Sequence, residues 1–147
     1  MRRYVSEPID NPVLGEQPFE RADLVFYGVD HSGPSFEARV YVNMPDADIS
    51  TGHDDPAYAG SFTIFGHAGC AGDEGHCDVP SGPRDPFDRR PPHGLTPQTR
   101  TVIVTDALRR ASSPELVVTV VAVRPGTDGP AAADVLRFDS FRLLTFS

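Results

Sequence analysis

The chain has 147 residues and a mass of 15.9 kDa, with 39% hydrophobic residues, a net charge of −8 and a pI near 4.9. That is the size of one ordinary domain with enough apolar material for a core, and 15 Pro and 13 Gly are too many chain breakers for a helical bundle. The 21 acidic against 13 basic residues argue against sequence-independent nucleic-acid binding; every basic residue is Arg, which excludes lysine Schiff-base, pyridoxal-phosphate and P-loop chemistry.

Residues 1–21 read as a polar arm, containing Pro8, Pro12 and Pro18, that lies across the domain or a partner. Arg2 and Arg3 are not followed by an apolar run, so no signal peptide is read. No stretch approaches the roughly 20 apolar residues of a membrane helix. The cytoplasm is therefore the expected compartment, with export alongside a partner left open.

From residue 22 onward the hydrophobic pattern has mostly period two, the mark of half-buried strands. Leu24–Val29 and Phe36–Val42 flank the turn formers Asp30-His31-Ser32-Gly33-Pro34 and read as a hairpin. In the second segment Phe36, Ala38, Val40 and Val42 share one face, and Glu37, Arg39 and Tyr41 the other. Gly60–Gly66 and Thr101–Thr105 are further strands, and Asp106 reads as the N-cap of a helical turn or two ending at Ala111. Leu116–Val123 is apolar on both faces except at Thr119, which predicts a strand in the middle of the fold. Asp134–Phe146 holds the last strand. The expectation is an all-β fold over 22–147, an antiparallel β-sandwich of about six to eight strands with one short helix. A long Cys/His-bearing loop insert interrupts it at about 66–99.

A connection longer than about 12–15 residues inside a compact domain is usually functional or disordered. This one holds both cysteines and three of the five histidines. His67, Cys70, His76 and Cys77 fall within one glycine-rich stretch, and thiolate with imidazole suits zinc or copper(I). The spacing fits no standard zinc module, and the adjacent His76-Cys77 pair does not easily aim at one ion. A Cys70–Cys77 disulfide, worth about 2–3 kcal/mol, is the competing reading, although it needs an oxidising compartment. Two packed free thiols are the third.

The segment Asp46-x-Asp48-x-Ser50-x-Gly52 imitates a calcium loop, but its glycine is one place late and Ala57 stands where such a loop needs Glu. A solvated acidic turn is expected there, with His53 beside Asp54 and Asp55 facing water. Arg89 and Arg90 read as partners for the chain's own carboxylates. No catalytic motif such as G-x-S-x-G or H-E-x-x-H is present.

Glu37–Asn43, then Tyr58–Phe62 running on to His67, then Thr105–Leu108 and Glu115–Val121 follow one another in an order that resembles the C-terminal domain of tyrosinases and plant polyphenol oxidases, the type-3 copper oxidases. Gly72–Pro80 and Arg90-Pro91-Pro92-His93 resemble the bacterial-type branch, and the likeness spans 22–146. It implies a β-sandwich that packs over the catalytic domain, shields its dicopper centre and assists copper loading. His67 matches the family's histidine after the Gly60 strand; for Cys70, His76 and Cys77 the resemblance supplies no role. The family's copper histidines stand on a helical bundle that this sequence does not contain, so the implied role is a non-catalytic accessory domain with no phenol oxidation of its own. Tyr58, Phe65 and Phe87 are the candidate partner contacts, because a covering face should be apolar or aromatic. The alternative is a stand-alone metal-binding protein or small metalloenzyme, with copper before zinc, using the His67–Cys77 loop. Neither reading involves nucleic acid or membrane.

Overall fold

Alternating apolar side chains need two layers to bury them, and the computed structural model, which describes residues 1–15, 18–68, 83, 85–87, 97–126, 131–132 and 134–147, has two. In chain order the elements are β1 (Arg3–Val5), β2 (Ile9–Asp10), a 3-10 turn (Pro12–Leu14), β3 (Arg21–Val29), β4 (Phe36–Val42), β5 (Tyr58–Ile64), β6 (Gln98–Ile103), α1 (Thr105–Arg110), β7 (Glu115–Leu116), β8 (Val118–Arg124), β9 (Ala131–Ala132) and β10 (Ser140–Phe146). One sheet has the order β1-β8-β4-β5, with β9 also on β8; the other runs β10-β3-β6, and β2 pairs with β7. Every pairing is antiparallel.

The expected hairpin between Leu24–Val29 and Phe36–Val42 is not one. β3 and β4 belong to different sheets, and residues 30–35 arch between them. Turn formers mark where a chain reverses but not whether the two strands pair. Here β3 and β4 lie in opposite layers, and Leu24 and Phe26 join Phe36 and Val40 in a single buried cluster between them. Phe26 is its aromatic centre, 5.2 Å from Phe62, 5.3 Å from Phe138 and 5.8 Å from Phe141 between ring centroids. Each large side chain buried this way contributes about 1.5–3 kcal/mol.

Two other expectations shift. The helix begins at Thr105, with Val104 at the cap position and no side-chain cap bond; Asp106 lies in the first turn, where its charge suits the helix dipole. Thr105 is committed elsewhere, its hydroxyl accepting the Ala22 N–H at 2.9 Å and tying the helix to β3. The expected central strand breaks at Val117, whose N–H goes to the Asn43 side chain and whose carbonyl accepts the Asn43 N–H, each at 2.8 Å. Asn43 makes both bonds from a left-handed conformation (φ 57°). The arm lies on the sandwich, held by buried Asn11: its amide donates to Ala111 and Ser113 carbonyls at 3.0 and 2.9 Å, and its carbonyl oxygen accepts the Val13 N–H at 3.1 Å.

The sandwich closes on one side only. Gly60 at φ 140° lets β5 approach β6, for an added Cβ would stand 2.6 Å from Val102 Cγ1. On the other side β1 and β10 stay apart, bridged by Tyr4, whose ring meets Phe138 edge-on at 5.0 Å and Phe141 at 6.1 Å.

Residues 44–57 fold over the outer face of β4 and β8, burying Tyr41, Ala47, Val121 and Val123. The Tyr41 hydroxyl donates to the Thr51 carbonyl at 2.7 Å. Asp48 accepts the Ser50 N–H and hydroxyl at 2.8 and 2.6 Å, so the calcium-like segment is a self-bonded turn. Beside it Glu37 meets Arg39 Nε and His53 Nε2, both at 2.9 Å, and His53 remains exposed, as expected. Burial opposes the charged form of Glu37, but hydrogen bonds from Arg39, His53 and Ser61 outweigh it and hold its carboxyl below the ordinary value of 4.5. Asp30 and Asp48 are also held low, by hydrogen bonds from Ser32 and Ser50.

A carboxyl held low when folded takes up its proton first in the unfolded chain. Its stabilisation is complete above the ordinary value of 4.5 and drains as pH falls from there through the lower value of the folded state. Urea midpoints measured between about pH 6 and pH 3 should therefore decline less steeply in Glu37→Gln than in the parent; equal slopes would show that the network does not carry this dependence. A second substitution tests the opposite sign. The Thr119 hydroxyl is buried without a hydrogen-bond partner among the described residues. Thr119→Val should raise stability by about 1 kcal/mol, seen as a higher urea midpoint at unchanged slope, whereas a lower midpoint would mean that the hydroxyl is bonded.

Candidate functional site

β5 ends at Ile64, and the residues after it are fixed against the 30–35 arch. The His67 N–H donates to the His31 carbonyl and the Ala68 N–H to the Gly33 carbonyl, both at 3.0 Å; the Gly66 N–H donates to Ser35 Oγ at 2.9 Å. The two backbones run so close that a Cβ on Gly66 would collide with Gly33, Pro34 and Ser35. Phe65 is thereby presented outward, 79% exposed, from a backbone that is already ordered. A large apolar side chain held this way loses little conformational freedom when another surface covers it.

Behind Phe65 lie two imidazoles. The His67 ring is 6.1 Å from that of Phe65 and 4.9 Å from that of buried His31, edge to face in both cases. His67 Nδ1 is 3.3 Å from the His31 carbonyl, and His31 Nδ1 is 3.3 Å from Gln98 Nε2. His31 was not among the residues that the sequence marked. Thirty-six positions separate it from His67, and only the arch brings them together.

Of the four metal candidates, the structure places His67 on this ridge; Cys70, His76 and Cys77 lie outside the described residues, as does any Cys70–Cys77 bond. Among the described residues no three His, Cys, Asp or Glu side chains group as they would around a metal ion. The three aromatic candidates do not form one patch. Tyr58 opens β5 and Phe65 follows its last residue, roughly 20 Å away along an extended strand. Half-buried Tyr58 packs against Tyr41 at 5.8 Å and His53 at 4.9 Å, under the 44–57 cover. Phe87 is 89% exposed, its N–H donating to the Asp85 carboxylate at 2.8 Å. Phe65 is thus the outward aromatic whose backbone anchoring the structure shows.

No family model matches the chain, and no curated protein matches it. Solved structures do. A recombinantly expressed latent aurone synthase (polyphenol oxidase) superposes with a TM-score of 0.56 at 15% identity, over 99% of this chain and 24% of that one. The same enzyme type from natural source gives 0.55 at 16% identity, over 98% and 24%. A third, co-crystallised with hexatungstotellurate(VI), gives 0.56 at 17%, over 98% and 24%. The chain spans about a quarter of the length of these oxidases. What it shares with them, over nearly all of its own length, is the fold of that quarter.

Proposed function

We propose that this chain is a non-catalytic accessory domain of the kind that forms the C-terminal domain of type-3 copper oxidases, covering the dicopper site of a partner catalytic domain or chain. The observation that carries this reading is the near-complete superposition on a quarter-length portion of latent polyphenol oxidases. The Phe65 ridge supports it. A phenyl ring on an anchored backbone can enter a cleft mouth and exclude phenolic substrates by occupying their volume, with no chemistry of its own. In this reading copper belongs to the partner. The described residues offer His67 and His31 but no third converging ligand, so they do not fit a copper centre and no step is assigned to the metal here.

Adding the chain to type-3 copper oxidase catalytic domains freed of their own covering domain should lower phenol oxidation saturably. Phe65→Ala should raise the concentration needed for half inhibition about thirtyfold, the loss of an interfacial anchor worth roughly 2 kcal/mol. Gly66→Ala should have a similar effect by displacing the ridge, with the fold intact by circular dichroism. Absence of inhibition, or inhibition indifferent to both substitutions, would overturn the assignment.

A further inference from the structure

On the open side of the sandwich a cleft of about 600 Å³ separates the arm from β10. One wall is the arm, with Tyr4, Ile9 and Pro12; the other is β10, with Phe141 and Leu143. Neither the Phe65 ridge nor the proposed shielding uses it.

β10 pairs with β3 and, among the described residues, with nothing on its other edge. A free edge presents a row of unpaired backbone N–H and C=O groups, and proteins usually blunt such edges with Lys, Pro, several charges or a bulge. Ser140–Phe146 carries a single charge, Arg142, no proline, and an unbroken seven-residue register with β3. Such an edge is complementary to an extended chain, whose own backbone groups need partners. A helix satisfies its backbone internally and would leave the row unpaired.

Charge narrows the choice further. The arm brings Glu7 and Asp10 to the cleft, both exposed and without an ion pair among the described residues, and with Arg142 the one cation in the lining their charge predominates. A second copy of this chain, at net charge −8, would meet them with more negative charge. We infer that the cleft between the arm and the free edge of β10 docks an extended segment of a partner polypeptide with alternating apolar and basic side chains. It adds as a strand to β10, its apolar residues covering Phe141, Leu143 and Ile9 and its cations facing Glu7 and Asp10.

The probe is a fluorescent peptide of about ten residues alternating valine and lysine, followed by anisotropy and by amide hydrogen exchange. Saturable binding with slowed exchange over 140–146 is expected. Methylating the peptide's alternate backbone nitrogens on the pairing edge should weaken it about tenfold, the loss of one or two net hydrogen bonds. Glu7→Lys/Asp10→Lys, at exposed positions, should weaken the valine–lysine peptide about tenfold and favour a valine–glutamate one. A scrambled peptide binding equally well, or insensitivity to both changes, would overturn the proposal. So would β10 amides already protected without peptide in a protein of dimeric mass, because a second copy would then hold the edge.

Discussion

The chain crosses between sheets at residues 30–35, so Leu24 and Phe26 on β3 pack against Phe36 and Val40 on β4 from opposite layers of one core cluster. That crossing is the constraint from which the rest of the molecule follows. It places Phe26 among Phe62, Phe138 and Phe141, which come from β5, from the segment leading into β10 and from β10 itself. It also leaves an arch whose carbonyls at His31 and Gly33 face outward along the end of β5. The residues after β5 take those carbonyls as partners, so the exposed Phe65 ridge stands on the turn that the core requires. Packing and candidate function share the same six residues of backbone.

The two sides of the sandwich are treated unequally. Where β5 meets β6, a glycine removes the side chain that would hold the sheets apart. Where β1 meets β10, Tyr4 props the sheets through ring contacts at 5.0 and 6.1 Å and leaves a cleft. The outer face of the larger sheet is covered by residues 44–57, with Tyr41 beneath them and Glu37, Arg39 and His53 bonded at their margin. The smaller sheet meets the same need with side chains alone. Asp23 is buried on its outer face but held by both arms of Arg21, at 2.8 Å each, while that guanidinium lies 5.9 Å over Phe146. A buried carboxylate with two charge-assisted bonds is tolerable; alone it would be costly.

Local periodicity made most of the strands legible. In Phe36–Val42 the two-residue repeat assigns every side chain to its observed face, and Glu37 with Arg39, two apart on one strand, form the pair that the repeat permits. What periodicity does not encode is pairing. The arch and a hairpin have the same turn residues, and only the distant β6, β8 and β10 decide between them. The cap at Asp106 failed for a related reason, since Thr105 has a tertiary partner in Ala22 and the helix starts where that bond holds it. Phe65 was marked by its aromatic character, but its anchoring was not legible, because the partners of residues 66–68 lie more than thirty positions upstream. Periodicity and turn formers reached the β-sandwich, and the ordered short motifs that resemble oxidase C-terminal domains implied the same fold, which the superpositions share at identities of 15–17%.

An exposed phenyl and an unpaired strand edge are both liabilities for a domain that stands alone, since each invites self-association. The net charge of −8 opposes such contacts between copies without weakening an attraction to partners that carry positive charge or apolar clefts. The carboxylates at the β10 cleft, Glu7 and Asp10, are placed to do this locally, for they lie beside the edge that a second copy would have to approach. At Phe65 the described residues suggest a protection by shape. Among the described residues of the ridge, Phe65 is the one large apolar side chain that is exposed, so two copies meeting through it alone would bury little area. A concave surface is what covers such a ring well, which is why a cleft-bearing partner fits this ridge better than another copy of the chain.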